Sequence, residues 1–194
     1  MLKLKLPTDP KWVKNVVEKN IAEILTDHAW CEQKAASNAI SIVVKYPEFT
    51  DLVQEMIKLS QEELSHFQMV HEKIVQRGWV LGKERKDDYV GRLYEFMKKG
   101  GSRQESLIDR LLFAAMIEAR SCERFKVLSE NINEDELAAF YYELMVSEAT
   151  HYTMFIGFAR KYGQGIDVDQ RWEEWLAYEA KIILNYGVKE SIHG

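Results

Sequence analysis

The chain lacks several features that define common classes of protein. No stretch reaches the ~18 consecutive apolar residues that a membrane-spanning helix needs, and the opening residues, MLKLKLPTDP, hold no apolar run long enough for a signal peptide. Cys31 and Cys122 are the only two cysteines, and no Cys-x-x-Cys is available for a zinc knuckle or a rubredoxin-like electron carrier. These absences predict a reduced, cytoplasmic protein that does not enter a membrane.

Proline and strand-like patterns are also scarce. Pro7, Pro10 and Pro47 are the only prolines, and each lies where a helix could begin. No segment sustains the period-two alternation of a half-buried strand. With 194 residues, of which 46% are apolar and 29% charged, the chain suits a single all-α domain over residues 1–194 with a sizeable core.

Long proline-free stretches bounded by glycine or asparagine predict five long helices. We place them at about 10–46 (a break near Asn20 is left open), 47–77, 102–131, 133–162 and 171–186. Asn133 is the predicted cap of the fourth helix. The fifth has Trp172, Trp175, Ile182 and Tyr186 on one face, interrupted by Glu179.

One pattern occurs twice: a glutamate is followed about thirty residues later by a Glu-x-x-His pair. The residues involved are Glu32, Glu63, His66, Glu118, Glu148 and His151. Each lies on an apolar stripe with steps of three and four, so all six should face a helical interior. Four carboxylates and two imidazoles in this arrangement are typical of a dinuclear metal site inside a four-helix bundle.

Burial of four carboxylates requires compensation, and two divalent cations would neutralise them. By the general pattern of such bundles, Glu63 and Glu148 would bridge the metals. Glu32 with His66 would complete one site, and Glu118 with His151 the other. Mixed carboxylate and imidazole ligands suit iron or manganese better than structural zinc.

The alternative is a set of surface carboxylates and ordinary histidines, because a single Glu-x-x-His pair carries little information. Repetition of the whole pattern on core stripes favours the metal site. Glu62 and Glu123 lie beside these stripes and are weaker candidates. We expect His28, one turn before Glu32, to support a ligand or fill the core rather than to bind metal. The two cysteines are expected to be small buried side chains.

Longer segments resemble the bacterial tRNA hydroxylase family known as MiaE, within the ferritin-like superfamily. They include PTDPKWV, DHAWCEQKAASNA around Glu32, EELSHF, RKDDYVGRLYEFMKKG, LIDRLLFAAMIEARSCERF around Glu118, and SEATHYTMFIGFARKYG around His151. The resemblance implies a ferritin-like four-helix bundle with an additional C-terminal helix and a short helical connection between the two helix pairs.

The same resemblance implies a non-haem diiron monooxygenase that uses two iron ions, with manganese as an alternative metal. Its substrate would be the isopentenyl side chain of 2-methylthio-N6-isopentenyladenosine beside the anticodon in tRNA. The reaction would consume dioxygen and two electrons from an external electron-transfer protein or reductase. Leu111, Ala114, Ala115 and Phe155 are candidate walls for the prenyl group.

A basic segment could contact tRNA although the whole chain carries a net charge of −5. Between Lys73 and Arg103, nine Lys/Arg residues stand against four Asp/Glu residues. The candidate phosphate contacts are Lys83, Arg85, Lys86, Arg92, Lys98, Lys99 and Arg103, interleaved with the aromatic residues Trp79, Tyr89, Tyr94 and Phe96. The alternative is a solvated connection between helices.

Two other functions are compatible with the metal-ligand pattern, because a fold does not determine a function. One is an iron-storage or peroxide-reducing protein of the same fold. The other is a non-catalytic tRNA-binding helical module, which would bind no stoichiometric metal.

Overall fold

The structure is a computed structural model, and it describes residues 2–186 and Ile192. Regular structure in these residues is entirely helical, which confirms the all-α prediction. A π-helical turn, Val13–Val17, precedes six α-helices: α1 Ile21–Lys45, α2 Thr50–Gln76, α3 Asp88–Glu95, α4 Arg103–Asn131, α5 Asp135–Tyr162 and α6 Val168–Tyr186.

Helix ends follow local backbone chemistry. The open question near Asn20 resolves as a break, because Asn20 leaves helical geometry at φ −138° and ψ 36°. Gly78 ends α2 at φ 73°, a conformation that glycine adopts without steric cost. Ser102 caps α4 through a capping box in which its hydroxyl and the Glu105 carboxylate each accept the other's backbone N–H.

The start of α5 differs from the prediction. Glu134, in extended geometry, occupies the N-cap position, so the predicted cap at Asn133 is wrong. The backbone N–H of Asn133 donates to Glu18 Oε1 at 2.9 Å instead. A tertiary contact therefore takes the residue that local propensity favours as a cap.

The chain divides into two compact units, and the single domain predicted over residues 1–194 stays a prediction. One unit contains residues 20–86 with Ile192, and its core is the hairpin of α1 and α2. Leu25, Ile42, Leu52 and Met56 are completely buried there. Residues 79–86 have no regular structure and lie against α1, where Trp30 Nε1 donates to the Gly82 carbonyl at 3.0 Å.

The other unit contains residues 2–19 and 87–186, in which α4 and α5 pair and α3 and α6 pack against one another and against α4. Trp172, Trp175 and Ile182 of α6 are buried as predicted; the side chain of Tyr186 lies outside the described part. Glu179, which interrupts this face, is also fully buried. It therefore needs a partner within the protein.

Arg120 of α4 is that partner. It donates to Glu179 Oε1 from Nε at 2.8 Å and from Nη2 at 2.5 Å, to Glu123 at 3.0 Å, and to the Leu6 carbonyl at 3.1 Å. Tyr89 of α3 donates to the same Glu179 oxygen at 3.3 Å. One buried guanidinium thus ties α3, α6 and the N-terminal segment to α4.

Candidate metal centre

All six predicted metal ligands are buried. Their relative exposures are 4% for Glu32, 0% for Glu63, 7% for His66, 5% for Glu118, 2% for Glu148 and 4% for His151. The alternative of surface carboxylates is therefore wrong for these residues. The six residues form two groups of three, one on α1 and α2 and the other on α4 and α5.

The α1–α2 cluster consists of Glu32, Glu63 and His66. One ligand atom from each of these residues lies within 4.8 Å of the others. Nδ1 of His66 is 3.1 Å from Glu63 Oε2 and 3.8 Å from Glu32 Oε2. Because Nδ1 is the ring nitrogen that faces both carboxylates, it is the candidate ligand atom.

The α4–α5 cluster consists of Glu118, Glu148 and His151, and it repeats this geometry. One ligand atom from each residue again lies within 4.8 Å of the others. Nδ1 of His151 is 3.9 Å from Glu148 Oε1, and its Nε2 is 3.4 Å from the Ser147 hydroxyl. Sequence reasoning did not single out Ser147; its position four residues before His151, on the same helical face, is the signal that could have found it.

His28 lies beside a candidate ligand, Glu32. It is completely buried, and its Nε2 lies 2.6 Å from Glu32 Oε1. A hydrogen bond to one carboxylate oxygen fixes the carboxylate and leaves its second oxygen to face the cluster. His66 Nδ1 approaches that second oxygen, Oε2.

The two neighbouring carboxylates are excluded as rivals by their surroundings. Glu62 is exposed, and Glu62 Oε1 lies 3.9 Å from His66 Nε2, the nitrogen that points away from the cluster. Glu123 accepts hydrogen bonds from the backbone and hydroxyl of Thr8 and from Arg120. Both carboxylates therefore lie off the stripes that carry the candidate ligands, as the helical periodicity predicts.

The cysteines agree only partly with the prediction. Cys122 is buried and donates to the Met145 carbonyl at 3.3 Å, whereas Cys31 is half-exposed, so its predicted burial is wrong. Cys31 immediately precedes Glu32 on α1, and the next residue along a helix points about 100° away from its neighbour. It therefore lies at the edge of the apolar face.

Each cluster has donor chemistry that fits a divalent first-row metal. Two carboxylates and one imidazole give a mixed oxygen and nitrogen set without thiolate, which suits iron or manganese. In each cluster the two buried carboxylates carry a charge of −2 when ionised, and one divalent cation neutralises it. Without a cation, two ionised carboxylates this close would repel one another.

The seven basic residues predicted to contact tRNA are all exposed. Lys83, Arg85 and Lys86 belong to residues 20–86, and the other four belong to the unit that contains α4. Two of the four aromatic residues between them are unavailable for stacking. Tyr89 is fully buried against Glu179, and Phe96 is stacked on Tyr178 at 4.2 Å.

Lys98 has a defined backbone position. Its N–H donates to Asp109 Oδ2 at 2.7 Å, and Asp109 in turn binds Arg171 at 2.7 and 2.8 Å through a two-point ion pair. Arg171 also donates to the Phe96 carbonyl at 3.1 Å. A buried ion pair therefore fixes the turn that presents Lys98 and Lys99 to solvent.

An all-α scaffold with two buried Glu, Glu, His clusters is typical of the ferritin-like class of carboxylate proteins. A solved structure shows the same fold: a Synechococcus protein described as having aldehyde deformylating oxygenase activity aligns with TM-score 0.90 and 30% identity over 98% of this chain and 95% of its own. The predicted ferritin-like four-helix-bundle class is thus confirmed, with α3 in the connection and α6 as the additional helix.

Residues 2–194 match the family described as tRNA-(MS[2]IO[6]A)-hydroxylase (MiaE), and the chain belongs to that family. Two relatives are named tRNA 2-(methylsulfanyl)-N(6)-isopentenyladenosine(37) hydroxylase. The one from Pseudomonas putida is 36% identical over 91% of this chain and 84% of its own length. The one from Salmonella typhimurium is 30% identical over 94% of this chain and 84% of its own.

Among the residues described, no helix combines the length and apolar character needed to cross a bilayer.

Proposed function

We propose that this chain is a non-haem diiron monooxygenase that hydroxylates the isopentenyl side chain of 2-methylthio-N6-isopentenyladenosine in tRNA. The observation that carries the proposal is the repeated, buried Glu, Glu, His cluster in a member of the MiaE family. The names of the two relatives supply the modified nucleoside and its position, 37.

The residues of the α1–α2 and α4–α5 clusters would hold two iron ions, with Glu63 and Glu148 among their carboxylate ligands. Four glutamates and two divalent cations then sum to zero charge, which removes the cost of burying the carboxylates. When bound, the iron pair would supply the activation of dioxygen. In the balanced reaction, two electrons and two protons accompany dioxygen, one oxygen atom enters a C–H bond, and the other leaves as water.

The residues of the chain would position the reacting groups and exclude bulk water. His28 would hold the Glu32 carboxylate by its 2.6 Å contact. The candidate walls of the prenyl pocket are all almost completely buried: Leu111, Ala114, Ala115 and Phe155. Such apolar side chains favour a five-carbon hydrocarbon group over water.

Exposed cations would contact the phosphates of tRNA. Replacing Lys98, Lys99 and Arg103 by Glu should weaken tRNA binding and flatten its dependence on salt, since fewer counterions would be released. Metal content should not change. Unaltered affinity would remove these three residues from the tRNA-binding face.

The electrons would come from a separate electron-transfer protein or reductase, because the chain has no Cys-x-x-Cys that could form its own rubredoxin-like centre. A tRNA substrate places the proposed reaction in the cytoplasm.

The direct test is nucleoside mass spectrometry of tRNA from cells with and without this protein. We expect one oxygen to be added to the prenylated adenosine only when the wild-type chain is present, and not when Glu63→Ala replaces it. Unmodified tRNA with iron accumulated in large assemblies would favour iron storage. Conversion of an aldehyde without any change in tRNA would favour the activity named for the Synechococcus protein.

A further inference from the structure

We infer that residues 79–86, called the strap below, form a stacking platform for unpaired nucleotides of tRNA. The inference rests on the proposed function for the identity of the RNA and adds the surface that would read it. The strap joins the end of α2 to the segment before α3, and it has no helical or strand structure. The strap and its contacts with α1 lie within residues 20–86.

Hydrogen bonds in both directions fix the strap to α1. Trp30 Nε1 donates to the Gly82 carbonyl at 3.0 Å, and Arg85 Nη2 donates to the Glu23 carbonyl at 3.4 Å. Gly82 also lies so close to α1 that an added Cβ would sit 3.0 Å from Thr26 Cγ2. An irregular segment held at both of these points is pre-organised, which lowers the entropy cost of binding.

At the first end of the strap, an indole side chain is presented to solvent. Trp79 donates its backbone N–H to the Ile74 carbonyl at 3.1 Å, a bond that Gly78 permits by turning at φ 73°. The Trp79 side chain keeps 39% of its surface exposed, and the next residue, Val80, is 88% exposed. The strap therefore offers solvent both a planar aromatic side chain and an apolar neighbour.

The charge of the strap complements a phosphate backbone. Lys83, Arg85 and Lys86 stand against one carboxylate, Glu84, so the strap carries +2 in a chain whose net charge is −5. Arg85 lies 3.4 Å from the Glu23 carboxylate and 4.0 Å from that of Asp27, which reduces its share in phosphate binding. Lys83 is therefore the main cation of this surface, and Lys86 follows it three residues later.

An exposed aromatic ring and cations on one irregular segment are features that single-stranded nucleic acid binds. Bases stack on the ring irrespective of sequence, and the cations follow the phosphates. An acidic electron-transfer protein would also be attracted by the cations, but it would gain little from the planar face of an indole. The strap therefore fits an unpaired RNA loop better than a protein partner.

The test compares the affinities of variants for a tRNA anticodon stem-loop over a range of salt concentrations. Trp79→Ala should weaken binding by about 5- to 150-fold, the range measured for loss of one stacked base, and leave the salt dependence unchanged. Trp79→Phe should restore most of the affinity. Lys83→Ala and Lys86→Ala should each lower the slope of log affinity against log salt by about 0.7.

Val44→Ala is a matched control, because Val44 is 73% exposed on α1 of the same unit and should not affect binding. Equal affinity of wild type and Trp79→Ala would overturn the inference. A Trp79→Ala variant that binds RNA normally but accepts electrons slowly would also overturn it, because the strap would then bind the electron donor rather than RNA.

Nucleoside mass spectrometry distinguishes failure of this inference from failure of the proposed function. A wild-type chain that hydroxylates tRNA, with strap variants that bind tRNA normally, contradicts the strap alone. A wild-type chain that binds RNA through Trp79 but adds no oxygen supports the strap and contradicts the hydroxylase.

Discussion

Removal of the buried Arg120 guanidinium should strongly destabilise the unit built around α4. In Arg120→Met, the fully buried Glu179 carboxylate loses its cationic partner, and the Leu6 carbonyl loses a donor. Burial raises the pKa of Glu179, and the charge of Arg120 opposes that rise. Without Arg120, the Glu179 carboxylate of the folded protein must therefore either stay ionised without this cationic partner or take up a proton. Both alternatives lower the free energy of unfolding.

Breaking a buried pair by removal of one partner costs about 3–5 kcal/mol. For a chain of this size, each kcal/mol lowers the melting temperature by about 2–4 °C, so we expect a loss of about 6–20 °C at neutral pH. The sign of the pH dependence follows from the raised pKa of Glu179. The loss of stability in Arg120→Met should become smaller as the pH falls through the raised pKa of Glu179. It should be smallest below the ordinary carboxyl pKa of about 4.3, where Glu179 is protonated in both the folded and the unfolded chain.

The assay is thermal and denaturant unfolding of wild type, Arg120→Met, and the double variant Arg120→Met with Glu179→Leu. The double variant should recover much of the loss, because no buried charge is then left unpaired. Arg160→Met is the control: its ion pair with Asp169 at 2.7 Å is exposed and should contribute less than about 1 kcal/mol. An Arg120→Met variant as stable as the Arg160→Met control would show that the buried pair contributes no more than an exposed one.

Two further predictions concern the residues beside the clusters. His28→Asn should lower the iron affinity of the α1–α2 cluster by about 10- to 100-fold, because hydrogen bonds that support a ligand contribute that much. Anaerobic iron titration measures this affinity, and an unchanged affinity would mean that His28 only fills the core. Burial, helped by the Glu123 carboxylate, raises the pKa of the Cys122 thiol to about 11. Alkylation at pH 8, followed by mass spectrometry, should therefore modify the half-exposed Cys31 well before Cys122, and equal rates would contradict the buried thiol.

The sequence predicted the helices and the burial of the ligands because both depend on helical periodicity. The steps of three and four that place Glu63 and His66 on one apolar face are the same steps that bury them in the structure. Residues that end or cap a helix were equally informative where no tertiary contact competes with them. Gly78 ends α2, and Ser102 caps α4.

Features set by contacts distant in sequence could not be predicted. Glu179 looked like an interruption of an apolar face because its partner, Arg120, lies 59 residues earlier in the chain. Tyr89 and Phe96 looked available for stacking because the sequence does not show that α6 covers them. Periodicity identifies which face is buried, but it does not identify which side chain it meets.

The most direct test of the central proposal is the iron content of the purified chain after anaerobic loading. We expect two ferrous ions per wild-type chain, and fewer than two in either Glu63→Ala or Glu148→Ala, since each removes a proposed carboxylate ligand. A wild-type chain that holds fewer than about one iron, or variants that still hold two, would contradict the proposal that these residues hold a pair of iron ions.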